Sequence, residues 1–163
     1  MMAIRIYRGA KRIGVYLSHQ GEISLAPLIE HALKQGKCLY LPLVSTNMQN
    51  RTLSFYPLNA STRLKKNRYG ISEPVSKRAK ISPKQLDLVW VPLVAFDAKC
   101  RRIGMGGGYY DRTFKYKQTH VCLAPKLMGV GYEWQRQKTV ESKPWDIWMD
   151  TIVSDQHRYR RGH

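Results

Sequence analysis

Carboxylates are scarce in this chain. Eleven Asp and Glu stand against 28 Lys and Arg in 163 residues, a formal charge of +17. Cysteine is scarcer still: Cys38, Cys100 and Cys122 are odd in number and widely spaced. That excludes a fully paired disulfide scaffold within the chain and any CxxC metal or redox motif, and it suits a reducing cytoplasm. No apolar run approaches the ~20 residues of a membrane span. Met1-Met2-Ala3-Ile4-Arg5 carries a charge with no continuous apolar stretch behind it, so no secretory signal is expected. The five histidines, His19, His31, His120, His157 and His163, show no HExxH spacing, and no zinc site is assigned to them. What is present argues for a folded body. The hydrophobic fraction is 43%, too high for a disordered basic tail. The length fits one domain, spanning residues 1–163, which buries roughly 70% of its unfolded surface. A surface this basic attracts any polyanion, whether nucleic acid, ATP or a carboxylate-rich small molecule.

Arg12–Ser18 is short and rich in β-formers and reads as a strand. Leu25, Leu28, Ile29, Ala32 and Leu33 then recur at helical spacing, with Ser24 as N-cap, Pro27 in the first turn and Gly36 as the stop. Lys37–Pro42 reads as a second strand. Strand, helix, strand with apolar strands is a βαβ unit, which implies an α/β fold with a parallel sheet covered by helices. Thr52–Leu58 reads as a strand at an edge, since Pro57 lacks an N–H. Ser61–Arg68 is a basic stretch, and Ser72–Pro83 reads as loop. Leu86–Phe96 is the most apolar segment, and its first half reads as a buried central strand. A helix is expected from Tyr109 to about Lys117, and strands over Lys126–Tyr132 and Thr151–Val153. The basic tail Arg158–His163 is expected to fray. Trp90 and Trp134 are expected to be packing residues.

The chemistry concentrates in the run from Arg101 to Arg112, R-R-I-G-M-G-G-G-Y-Y-D-R. Four glycines in five positions allow left-handed backbone and close approach to a ligand. Successive N–H groups can form an anion nest, and the helix behind adds its positive end. Arg102 and Arg112 can neutralise phosphate, and Asp111 sits where a carboxylate can hold Mg²⁺. The loop is not a Walker loop, because Tyr109 and Tyr110 follow Gly108 in place of Lys-Ser/Thr, and GxGxxG fails at Tyr109. On spacing alone a flexible turn after a buried strand explains the glycines equally well.

The longer string is more specific. Residues Leu88–Arg112 resemble the signature of the 5-formyltetrahydrofolate cyclo-ligases, or methenyltetrahydrofolate synthetases: an apolar strand, P-x-x-A/G-F-D, a short turn, and R-L/I-G-x-G-x-G-Y/F-Y-D. Here these are Pro92–Asp97 and Arg102–Asp111. The segment from Leu17 to Glu22, the segment from Asn67 to Pro74, Gly129–Gln135 and Trp145–Asp150 are similar to further motifs of that family, so the resemblance runs from about Lys11 to Asp155. It implies a three-layer α/β/α sandwich with a largely parallel sheet, of the coenzyme A transferase-like kind. It also implies an ATP- and Mg²⁺-dependent cyclisation of 5-formyltetrahydrofolate to 5,10-methenyltetrahydrofolate by a single cytoplasmic domain acting as a monomer.

By that resemblance Arg102, Ile103, Gly104, Met105, Gly106, Gly107, Gly108, Tyr109 and Tyr110 wrap the triphosphate, with Arg102, Tyr110 and Asp111 at the reacting atoms. Asp111 and Asp150 are the implied metal ligands. Leu17, Glu22 and Tyr69 line the folate pocket, and Met105 through Tyr109 lie where folate and phosphate meet. Each residue alone has a plainer reading: Glu22 a solvated turn residue, Tyr69 partial core, Asp111 an ordinary first-turn aspartate, Asp150 the cap of a strand, Tyr110 a buried ring. The family's N-terminal basic helix has no match before Arg12, so the chain is expected to lack it, and no role passes to Arg5, Arg8, Lys11 or Arg12. The alternatives are a folate- or nucleotide-binding relative without turnover, and a basic nucleic-acid-binding protein. For the last, no RNP, helix-turn-helix or finger spacing is present, so nucleic-acid binding is expected to be non-specific if it occurs.

Overall fold

The computed structural model describes residues 1–44, 51–67, 70–75, 79–120 and 123–162. A seven-stranded sheet forms the middle layer. Its strands are β1 (Arg12–Gly14), β2 (Cys38–Val44), β3 (Leu53–Leu58), β6 (Leu88–Pro92), β9 (Lys126–Val130), β10 (Thr151–Val153) and β11 (Arg158–Arg160), in the spatial order β3-β2-β1-β6-β9-β10-β11. The five inner strands are all parallel, while β3 and β11 run antiparallel at the two margins. Pro57 sits opposite Tyr40 in the marginal strand, where its missing N–H breaks no interior ladder.

Alternation along the inner strands fills both faces. Trp90, Met128 and Val130 join one cluster, under helix α1 (Arg5–Gly9) and helix α2 (Ala26–Lys34), through Tyr7, Leu25, Leu28 and Ala32. Val89, Val91, Leu127 and Ile152 join a second cluster on the other face with Phe55, Phe96 and Phe114. Burial of a side chain of this kind contributes about 1.5–3 kcal/mol. Helix α3 (Tyr109–Thr113) and a 3₁₀ turn at Lys115–Gln118 cover that second face, which completes three layers.

The βαβ unit is where the periodicity put it. The helix starts one residue later than expected, with Leu25 rather than Ser24 as its N-cap residue; the Ser24 hydroxyl still accepts the Ala26 N–H, and Gly36, at φ +68°, follows the end of α2. Before β1 lies a short helix to which the sequence reading gives no element: the carbonyls of Arg8 and Ala10 at its end accept from the Lys37 ammonium (3.0 and 2.7 Å), and the buried Tyr7 hydroxyl meets His31 Nδ1 at 2.8 Å. Three expectations are corrected. Ser72–Pro83 is not all loop, because β5 (Ser72–Pro74) pairs with β4 (Leu64–Lys66) in a separate hairpin. The tail is not frayed: the Tyr159 hydroxyl donates to Glu133 at 2.5 Å and its ring packs on Phe96, fastening β11 to the sheet. Trp134 does not pack inside; it is 76% exposed, lying flat on Tyr132. Among the described residues no helix is long and apolar enough to cross a membrane.

Candidate active site

From β1 the chain crosses through α2 to β2 on one side, and from β6 it continues to β9 on the other. Loops that leave neighbouring parallel strands in opposite directions open a crevice at the strands' carboxyl ends. A cleft of about 1210 Å³ lies there, lined by the loop after β1 (Tyr16, Leu17, His19, Gln20, Glu22), the β2 end, the β4–β5 hairpin and the whole run from Arg102 to Arg112.

The loop after β6 is built before it reaches the cleft. Strands β7 (Ala95–Phe96) and β8 (Arg102–Ile103) form a short antiparallel hairpin whose turn closes on Asp97. That carboxylate is 1% exposed. It accepts from the Lys99 and Arg101 N–H groups through Oδ1, and from Arg101 Nε and the Val140 N–H through Oδ2. Burial would raise its pKa, but the donors from Val140 and Arg101 outweigh that and hold it below the usual carboxylate range. The glycine run thus starts from a fixed base.

Arg102 is the hinge between that base and the cleft. Its guanidinium is 5% exposed, donates from Nη2 to Asp111 Oδ1 at 2.9 Å, and lies over the Tyr110 ring. Its Nε is buried with no hydrogen-bond partner among the described residues. Gly104 makes room for it, since a Cβ there would stand 2.8 Å from Nη1. Gly108, at φ +63°, turns the backbone left-handed at the start of α3. The helix ends at Thr113, short of Lys117, because Phe114 leaves helical geometry (φ −106°, ψ 18°) and the chain continues as the 3₁₀ turn; the Thr113 hydroxyl accepts the Leu53 N–H and donates to the Tyr109 carbonyl. With only five residues, α3 contributes little macrodipole, and the positive character of the loop comes from Arg102, Arg112 and the loop N–H groups.

Asp111 and Glu22, on opposite walls of the cleft, each have one oxygen that no described residue engages. Asp111 Oδ1 takes Arg102 and the Ile147 N–H, while Oδ2 has no hydrogen-bond partner among the described residues. Glu22 Oε2 accepts the His19 N–H at 3.0 Å, and Oε1 is likewise without one. Burial pushes the Glu22 carboxyl up, against the opposing His19 hydrogen bond. Burial also raises the Tyr110 and Tyr16 phenols, which stay protonated. The donor set around Asp111 fits one hard cation, with a carboxylate oxygen available and room for water and phosphate oxygens.

The structure brings Leu17, Glu22, Arg102–Tyr110 and Asp111 together in this cleft. It does not bring Asp150, which is absent from the lining. Asp150 Oδ1 meets Lys126 Nζ at 3.3 Å, and Oδ2 accepts the Leu127 N–H at 2.8 Å, with Lys117 Nζ at 3.6 Å. Both oxygens are engaged, so the set around Asp150 does not fit a metal ion. Among the described residues no three His, Cys, Asp or Glu side chains gather to hold one. Tyr69 lies outside the described residues. Sequence reasoning gave no role to Asn67 and Glu73, joined at 2.6 Å beside the cleft, nor to Lys143, Trp145 and Asp146 on its rim; all but Lys143 lie in the recognised motifs, and nothing in the sequence singled out Lys143.

Comparison with known proteins agrees with the geometry. The family model for the 5-formyltetrahydrofolate cyclo-ligase family matches residues 1–155. The 5-formyltetrahydrofolate cyclo-ligase of Haemophilus influenzae is 37% identical over 147 residues, covering 90% of this chain and 76% of that protein. The Escherichia coli K12 protein of the same name is 35% identical over 146 residues, 89% and 78% of the two chains. The NMR structure of Aquifex aeolicus 5,10-methenyltetrahydrofolate synthetase aligns with a TM-score of 0.79 at 31% identity, over 98% of this chain and 76% of that one.

Proposed function

Since the chain belongs to the 5-formyltetrahydrofolate cyclo-ligase family, we propose that it cyclises 5-formyltetrahydrofolate to 5,10-methenyltetrahydrofolate while ATP becomes ADP and phosphate. The observation that carries this reading is the undivided cleft of about 1210 Å³. A pocket for one drug-sized ligand measures roughly 300–1,000 Å³. This one is larger, with a carboxylate on one wall and a guanidinium, a glycine loop and a second carboxylate on the other.

The chemistry to be solved is an unreactive formamide whose oxygen leaves poorly. The formyl oxygen attacks the γ-phosphorus, the bond to the β-phosphate oxygen breaks, and ADP departs. The side-arm nitrogen of the folate then attacks the formyl carbon and gives up its proton, and the oxygen leaves with that proton as hydrogen phosphate. Such a transfer is catalysed by positioning and charge stabilisation. Arg102 supplies both, because its guanidinium lines the cleft and is held in place by Asp111 through Nη2. Ile103 through Tyr109 bring backbone N–H groups to the phosphates and to the junction with the folate. Asp111 Oδ2 would hold Mg²⁺, which spreads the charge of the phosphate oxygens when bound. Glu22 Oε1 accepts the donor edge of the pterin, Leu17 supplies an apolar wall, and the Tyr110 hydroxyl remains a hydrogen-bond donor.

Mixing the chain with ATP, Mg²⁺ and 5-formyltetrahydrofolate, and following methenyltetrahydrofolate absorbance, is expected to show ATP-dependent product. No product at saturating ATP, with both ligands still bound, would replace this reading with that of a binding protein.

A further inference from the structure

The cleft carries an aromatic surface for which the reaction above has no use. Trp145 lines it and is 60% exposed. An indole at the rim of a cleft offers a flat apolar face to a ligand that enters it. Its backbone is fastened on both sides. The Pro144 carbonyl accepts from Gln118 Nε2 at 2.7 Å, at the end of the turn that follows α3. The Lys143 N–H donates to Asp146 Oδ2 at 2.8 Å, closing the turn that presents the ring. On the far side the Ile147 N–H donates to Asp111 Oδ1, the oxygen that also holds Arg102. The Lys143 ammonium stands 5.5 Å from the indole centroid.

We propose that Trp145 is the stacking platform for the purine base of the nucleotide, an assignment that rests on the ATP-dependent reading above. The anchors decide between the two flat ligands. They tie Trp145 to Asp111 and α3, on the phosphate-holding wall, whereas Glu22 belongs to the loop after β1, on the other. Every base has a π-face, so an aromatic platform grips by area rather than by hydrogen-bond pattern. It favours purines over pyrimidines and separates adenine from guanine only weakly.

Calorimetry of wild type, Trp145→Ala and Trp145→Phe tests this with MgATP, MgGTP, MgCTP, inorganic tripolyphosphate and 5-formyltetrahydrofolate. Trp145→Ala is expected to lose about ten- to a hundredfold in ATP and GTP affinity and less for CTP. Trp145→Phe should retain most of it, and tripolyphosphate should bind wild type and Trp145→Ala alike. Unchanged ATP affinity in Trp145→Ala overturns the platform, as does an equal loss for ATP and tripolyphosphate. A loss confined to 5-formyltetrahydrofolate overturns it in favour of the folate ring as occupant. Failure of the wild type itself to bind ATP overturns the nucleotide reading, and is told apart from the other outcomes by needing no substitution at all.

Discussion

Carboxylates on the two sides of this molecule are treated differently. Away from the cleft, Asp97, Asp150 and Glu133 have both oxygens engaged. Glu133 alone receives the Ser154 and Tyr159 hydroxyls, Arg136 Nε and, at 3.5 Å, His157. In the cleft, Asp111 and Glu22 each keep one oxygen without a partner among the described residues. Their titration differs too. Burial tends to raise Glu133, but the hydrogen bonds from Ser154, Tyr159 and Arg136 bring it down to about 2, while burial prevails at Glu22 and raises it. A half-buried oxygen without a donor is destabilising, and folded proteins retain such groups where a ligand completes them. Asp97, Asp150 and Glu133 hold the chain together, whereas Asp111 and Glu22 each offer an oxygen to whatever occupies the cleft.

Substitutions sharpen or break that contrast. The largest effect is expected from Asp97→Ala, which leaves Arg101 without its buried partner and the hairpin turn without its acceptor. It should cost about 3–5 kcal/mol in denaturant unfolding, and a loss below about 1 kcal/mol would show that the turn stands without it. Asp111→Asn comes next. It should lower turnover by about 10²–10³-fold with a smaller stability loss than Asp97→Ala, since the Asn oxygen still accepts from Arg102 and the Ile147 N–H, and a melting loss like that of Asp97→Ala would erase the distinction. The smallest is Glu22→Gln, expected to weaken 5-formyltetrahydrofolate binding about tenfold and leave ATP binding alone. Because the Glu22 pKa is raised, its carboxylate is protonated earlier as pH falls. Wild-type folate affinity should therefore begin to drop above the ordinary carboxylate range, and Glu22→Gln should remove that early part of the profile; an unchanged profile would take Glu22 out of the pocket.

Contiguous features were legible in the sequence. The periodicity of Leu25–Leu33 between two apolar strands predicted the βαβ unit, Pro57 predicted an edge, and the run Arg102–Asp111 marked one wall of the cleft. What was not legible depends on distant partners. Strands β4, β5, β7 and β8 have two or three residues each, too few for any alternation to register. The tail reads as charge, and only Glu133 and Phe96, far back along the chain, explain why Tyr159 holds it in the sheet. Asp111 and Asp150 look alike as letters. Lys117 and Lys126 engage one of them, and no spacing rule announces that. Trp90 and Trp134 share a residue type and nothing else, since one lies under α1 in the sheet and the other in solvent.

The two marginal strands have a consequence for how copies of this chain behave in a crowd. A sheet with an open border is a template on which a neighbour can add a strand, and repetition of that step is how soluble proteins become fibres. Here one border carries Pro57, which offers no donor to an arriving backbone. The other is the three-residue β11, with Arg158 and Arg160 exposed on it. An incoming copy would meet like charge along a very short edge. Arg158 and Arg160 thus place like charge where a second copy's strand would have to pair.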